Sequence, residues 1–212
     1  MHLESLQNWF NNNDLTKGQS TQIRIIQSAL ELFSHKGYAN ISLQAIAESS
    51  NTSHPLILKH FGSKDGLLLH VRSYVKMSNQ VWVDRKIKPD MDAREALFVH
   101  CFENLRWVFE KPAEGRMIIL TYYYNSLSQS TENISLNARA LGTQRVLKYV
   151  LQAQREGFLK GDVKPLIVAE MVQESLIGLG IAILTGGQLD RSKIPPSYKK
   201  KVQILLGGFL EV

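Results

Sequence analysis

The sequence predicts an all-α protein of about nine helices, with a three-helix helix-turn-helix head at the N-terminal side of a larger helical body. Three observations predict it. Apolar residues recur at three- and four-residue steps along most of the chain, as in Ile23, Ile26, Leu30 and Phe33. Capping and breaking residues separate these runs: Gly37, Ser42, Ser53, Ser63, Pro112, Gly157 and Pro165. No segment alternates like a strand with comparable strength, and no internal repeat appears.

Composition narrows the function. The chain has 212 residues, 44% hydrophobic and 21% charged, which suits a folded globular protein. The single Cys101 excludes an intrachain disulfide and a cysteine-based zinc site, and fits the reducing cytoplasm, where we expect the protein to work. The start "MHLESLQNWF" lacks the basic and apolar regions of a signal peptide. The longest apolar run, Leu166 to Leu184, is interrupted by Glu170, Gln173 and Glu174, so a buried helix is expected and a membrane span is not. Net charge is +6 and the pI about 9.4, weak evidence for a polyanionic partner. The excess is not in the first third of the chain, where Lys17, Arg24, Lys36, Lys59, Lys64 and Arg72 face Glu4, Asp14, Glu31, Glu48 and Asp65. Phosphate loops, the HExxH zinc motif, a nucleophile elbow and a convincing carboxylate pair are all missing, so an enzyme, a metal site and a cofactor are not expected. Cys101, mid-helix on an apolar face, reads as a small buried hydrophobe.

Taken in order, residues 1–16 form an N-terminal extension whose Leu3, Leu6, Trp9 and Phe10 could pack on the body or leave an arm that reaches DNA. The head spans 17–75 and the effector-binding and dimerisation body 76–212. Helix 1 runs from Lys17 to Lys36 and ends at Gly37, followed by Tyr38. Ser42 caps helix 2, with Leu43, Ile46 and Ala47 inward. Ser50-Asn51 makes the turn, since Asn tolerates the left-handed conformation. Ser53 caps helix 3, with Pro55 in its first turn, and Ser63 caps helix 4. Three helix N-termini within a short stretch suit phosphate binding, or simply satisfy a packed three-helix unit. Beyond the Lys88-Pro89-Asp90 break come helix 5 (to Glu110), helix 6 (to Leu127), helix 7 (Ile134 to Glu156), helix 8 (Pro165 to Leu184) and helix 9 (Ser197 to Leu210).

The head resembles the TetR family of bacterial transcriptional regulators. Phe33, Gly37 and Tyr38 match the end of that family's helix 1. Ser42, Leu43, Ile46 and Ala47 match its second helix, and Thr52, Ser53, Ile57, Leu58, His60, Phe61, Ser63, Lys64 and Leu67 its third helix and the entry to its fourth. The sequence departs from the pattern at Asn51 (usually Gly), Pro55 (usually small) and Leu58 (usually a phosphate-contacting Tyr). In the body, Gly157, Leu159, Asp162, Pro165, Ala169, Val172 and Gly178 resemble the family's entry into helix 8.

The resemblance implies a homodimer on double-stranded DNA with a palindromic operator, regulated by a small-molecule effector and repressing transcription. Helix 3 would enter the major groove with Thr52, Ser53, His54 and Leu56 near base edges. Lys59, His60, Lys64 and the hydroxyls of Tyr38 and Ser42 would hold phosphates. Trp82, Phe98, Phe102, Trp107, Met117, Tyr122, Tyr123, Tyr124 and Gln173 would line an effector pocket, or serve as plain core. Ser175, Gly178, Ile181, Ala182, Val202, Leu205 and Phe209 would form the dimer interface, or an intrachain core. The alternative function is a helical adaptor or sensor whose head no longer binds DNA, which Pro55 and Leu58 keep open.

Overall fold

The computed structural model describes residues 15–127, 134–161, 163–186 and 193–211, with backbone alone at 124–127 and 134–139. The predicted patch of Leu3, Leu6, Trp9 and Phe10, and Asp162, lie outside the described residues. The helices are α1 (Lys17–Lys36), α2 (Leu43–Ser49), α3 (His54–Phe61), α4 (Lys64–Asp84), α5 (Ala93–Glu110), α6 (Pro112–Leu127), α7 (Ile134–Arg155), α8 (Pro165–Thr185) and α9 (Pro196–Gly207). The all-α expectation is met. The chain separates into two compact units: residues up to Val81 with Arg116–Thr121, and Trp82–Gly115 with Tyr122 onward.

In the first unit a capping box starts α1. The Thr16 side chain accepts from the Gln19 amide while the Gln19 side chain accepts from the Thr16 amide. The expected stripe of Ile23, Ile26, Leu30 and Phe33 is buried, with Ile25 added to it. Phe33, Ile25 and Ile26, with Ile46, Ile57, Leu67, Val71 and Met117, are among the largest fully buried side chains. The turn between α2 and α3 closes through Asn51, whose φ of 48° is the only positive value for a non-glycine among the described residues. The Thr52 amide then donates to the Ala47 carbonyl at 2.9 Å. At the start of α4 two backbone segments approach closely. A Cβ on Gly66 would lie 2.0 Å from the Phe61 carbonyl oxygen, so only glycine fits.

In the second unit α5, α7 and α8 pack on one another and α9 packs on α5. Leu97, Cys101, Leu105, Val146, Val150, Val168, Val172 and Val202 belong to one core cluster. Cys101 is fully buried, and burial pushes its thiol well above the usual range, consistent with an unreactive hydrophobe. Asp92 caps α5 in a second capping box with Glu95, and the Ala93 amide donates to Glu156 Oε2 at 2.9 Å, tying the start of α5 to the end of α7.

Two expectations need correction here. The sequence predicts a last helix reaching Leu210, but α9 stops at Gly207. After the Gly207-Gly208 pair the chain forms an antiparallel bridge, with Lys160 N–H donating to the Phe209 carbonyl at 2.9 Å and Glu211 N–H to the Phe158 carbonyl at 2.8 Å. The second correction concerns α8, which was expected to be buried. It is long and apolar enough to cross a membrane by length and composition, yet only one face is buried. Leu166, Ile167, Met171 and Ile181 are between 40% and 52% exposed. Glu170 and Glu174 are exposed as well. Helical spacing puts both carboxylates among these apolar side chains, where hydrocarbon would charge about 2.5–3.5 kcal/mol for a buried acid.

Candidate functional site

Serine hydroxyls organise the head's surface. Ser42 Oγ accepts from Ala45 N–H at 3.1 Å, Ser53 Oγ from Leu56 N–H at 3.3 Å, and Ser63 Oγ from Gly66 N–H at 3.0 Å. Each hydroxyl keeps its own proton for an outside acceptor. On α3, Ile57 and Phe61 are buried against the head, which turns the opposite edge outward. His54, Pro55, Leu58 and Lys59 are exposed on that edge.

The predicted base-reading residues divide. Ser53 and His54 are exposed, Leu56 is half-buried, and Thr52 Oγ1 shares a 2.8 Å hydrogen bond with Ser50 Oγ, which also donates to the Ile46 carbonyl at 2.7 Å. Sequence reasoning passed over Pro55 and Leu58 as readers because they break the family pattern. Leu58 is 40% exposed, so the structure leaves both at the surface.

Among the phosphate candidates, Lys59 is exposed, and so is Ser42, the α2 cap. His60 is half-buried, with Nδ1 3.2 Å from Gln22 Nε2 of α1. Burial, then the neighbouring Lys59 charge, holds its pKa below the ordinary histidine value, so it is neutral near pH 7. With the Gln22 amide donating to Nδ1, the ring proton sits on Nε2. Tyr38 departs from expectation. Its hydroxyl donates to Asp65 Oδ1 and so has no proton for a phosphate. Burial first, and the Asp65 hydrogen bond second, push its pKa up and keep it protonated. The Lys64 ammonium lies 4.3 Å from the Tyr38 ring centre.

In the second unit the predicted pocket residues do not share one face. Phe98 and Phe102 stack with centroids 6.1 Å apart and pack on the α5–α7–α8 core. Trp107 is fully buried nine residues beyond Phe98, which on a helix of about 3.6 residues per turn puts it roughly half a turn away. The face shared with Trp107 carries Ala96, His100 and Glu103, all buried. His100 and Glu103 were missed, although their three- and four-residue spacing from Ala96 to Trp107 was readable. Trp82 belongs with them, since its Nε1–H donates to Glu103 Oε2 at 3.1 Å. Arg106 lies 3.6 Å from the other Glu103 oxygen. The His100 ring lies 5.4 Å from that of Tyr149, and its Nδ1 is buried with no hydrogen-bond partner. Burial pushes the His100 pKa down to about 3, with the Arg145 charge adding to it. Met117 is buried in the first unit; Tyr122 is half-buried and Tyr123 57% exposed. The Tyr124 side chain lies outside the described residues. The Gln173 amide lies across Gly142, within 2.9 Å of where a Cβ would stand. Among the described residues no cluster of three or more potential metal ligands occurs.

The predicted interface residues also divide. Gly178, Ile181 and Ala182 are exposed on α8, and Ser175 and Leu205 are half-buried. Val202 and Phe209 are corrected: both are buried in the core of their own chain, Val202 on α9 and Phe209 in the segment that follows it. The exposed apolar residues of these two helices that were missed are Leu166, Ile167 and Met171 of α8 and Ile204 of α9.

Residues 25–71 match the family described as "Bacterial regulatory proteins, tetR family". The chain is 22% identical to the HTH-type transcriptional regulator UidR of Escherichia coli, over 93% of this chain and 97% of that one. Over a shorter span it is 43% identical to an HTH-type transcriptional repressor of Mycobacterium tuberculosis, covering 21% of this chain and 23% of that one. Among solved structures, a transcriptional regulator from Saccharomonospora viridis in complex with choline is similar in fold, with a TM-score of 0.73, 22% identity, and coverage of 92% and 100%.

Proposed function

We propose that this chain, a DNA-binding transcriptional regulator whose head matches the tetR family, is a ligand-responsive repressor acting as a homodimer on a palindromic operator. The observation that carries the reading is the outward edge of α3, flanked by the serine-capped starts of α3 and α4. A short helix exposing His54, Pro55, Leu58 and Lys59 suits a major groove. His54 offers a hydrogen bond, Lys59 a phosphate contact, and Pro55 with Leu58 an apolar edge for thymine methyl groups. Lys64 and the Nε2–H of His60 add phosphate contacts, and the free amides after Ser63 favour an anion.

For the dimer, the supporting feature is the exposed α8 face of Ile167, Met171, Gly178, Ile181 and Ala182, with Ile204 of α9. An apolar face laced with Glu170 and Glu174 suits a second protein surface better than lipid. For the effector, the supporting features are the buried polar face of α5, with His100 and Glu103, and a small molecule, choline, held by a protein of similar fold. Repression is supported by the naming of the Mycobacterium tuberculosis relative.

One titration series tests this reading. Binding of duplex fragments selected from the host genome should weaken steeply as salt rises. Lys64→Ala should weaken it uniformly across sequences and lower the salt slope by about one. Sedimentation of the complex should give two chains per duplex, and Met171→Glu should reduce that to one. Salt-independent binding, or none, would favour an adaptor; a complex with one wild-type chain would overturn the dimer.

A further inference from the structure

We propose that Tyr38 is a positioning residue that sorts the two opposite charges at the start of α4, seating the Lys64 ammonium for a phosphate and drawing the Asp65 carboxylate away from it. The inference rests on the DNA-binding reading of the head.

Lys64 and Asp65 are the first two residues of α4, directly after the Ser63 cap. A helix start carries unpaired amides and partial positive charge, so it attracts any anion within reach. A phosphate is one such anion. The Asp65 carboxylate is another, attached to the same turn, and it would both compete for the amides and repel the phosphate.

Tyr38 reaches this turn from outside the helix. Gly37, with φ of 79°, ends α1 by donating its amide to the Phe33 carbonyl, and Tyr38 follows it directly. The Tyr38 ring then packs edge-on against the fully buried Phe33, with centroids 5.2 Å apart, which anchors it on the core of the head. From that fixed seat it touches both charges differently. The ring lies 4.3 Å from Lys64 Nζ, and its electron-rich surface favours a cation. The hydroxyl donates to Asp65 Oδ1, and an ionised carboxylate is the stronger kind of acceptor. Arg72, half-buried further along α4, adds positive charge near the tyrosine. Consecutive residues on a helix diverge, so Lys64 and Asp65 do not neutralise each other.

The test uses the full chain and a short random-sequence duplex, titrated at low and moderate salt, with thermal melts of every variant. Tyr38→Phe keeps the ring on Phe33 and under Lys64 but releases Asp65. It is expected to bind about two- to fivefold more weakly, the size of a charge effect at a helix end. Asp65→Asn should bind at least as tightly as wild type. In the Tyr38→Phe/Asp65→Asn double variant the deficit should disappear, which a merely structural role for the hydroxyl would not produce. Tyr38→Leu, which also removes the ring, should lower the salt slope by about one, and should lower it no further when Lys64→Ala is already present. Undiminished binding by a folded Tyr38→Phe overturns the inference, as does a deficit that persists in the double variant. If wild-type protein binds the duplex without salt dependence, the DNA-binding reading itself fails first.

Discussion

The start of α4 and the inner face of α5 both hold polar groups against a packed interior, and they do so to different standards. At the first turn of α4 the contacts are tight, although Arg72 Nε, further along the helix, is buried without a partner. Ser63 caps Gly66, Tyr38 holds Asp65, and the Phe61 carbonyl lies 2.0 Å from where a Gly66 side chain would begin. At α5 the fit is looser. Glu103 has Trp82, but His100 Nδ1 is buried without a partner. In the same unit the close neighbour of Gly142 is the end of the Gln173 side chain, which can rotate away. A surface that binds a regular, rigid polymer gains from geometry held by backbone. Were the body to bind a small molecule, as proposed above, it would gain from side chains with room to move and polar groups that a guest can satisfy.

The largest test of this contrast is Gly66→Ala. The clash is with backbone, which cannot rotate away, so the head should lose about 3 kcal/mol or more, read by denaturant melts. A loss under about 1 kcal/mol would show that the α3–α4 turn yields, and the contrast would collapse.

Next in size is the pH dependence of His100. Its folded pKa of about 3 lies below the ordinary 6.5. As pH falls through 6.5 the unfolded chain takes up a proton that the folded imidazole refuses. Stability is therefore full above about pH 6.5 and falls between there and pH 3, by at most about 1.4 kcal/mol per pH unit. His100→Leu should abolish this component, measured by urea melts from pH 7 to 4.5. It should also raise stability at pH 7 by about 1 kcal/mol, because an unpaired buried group is removed. An unchanged pH slope in His100→Leu would mean that the imidazole is solvated after all.

The smallest effect is expected for Gly142→Ala. The new methyl group meets only the Gln173 amide, and the helix gains from losing a glycine, so stability should change by no more than about 0.5 kcal/mol. A loss as large as that of Gly66→Ala would erase the difference between the two regions.

Much of the head was readable from the chain. The serine caps, the Asn51 turn and the apolar stripe are local features, set by backbone sterics and by spacing along one helix. The site was less readable. Tyr38 looked like a phosphate donor because its hydroxyl is polar and well placed along the chain. That Asp65, 27 residues on, accepts its hydrogen bond is a matter of tertiary approach. Phe98 and Trp107 looked like one pocket because both are aromatic, but they lie on opposite sides of α5.

Sequence by itself determined the helices, their ends to within a few residues, the family of the head and the positions that depart from its pattern. Periodicity and capping act over one or two turns and need no partner. Only the tertiary structure decided which apolar residues are consumed in the chain's own core, as Val202 and Phe209 are, and which stay outward, as Ile167 and Met171 do. It also decided which polar groups meet: Lys64 and Asp65 with Tyr38, Trp82 with Glu103, and nothing with His100 Nδ1. Such pairings depend on distances between elements remote in the chain, and no local pattern encodes those distances.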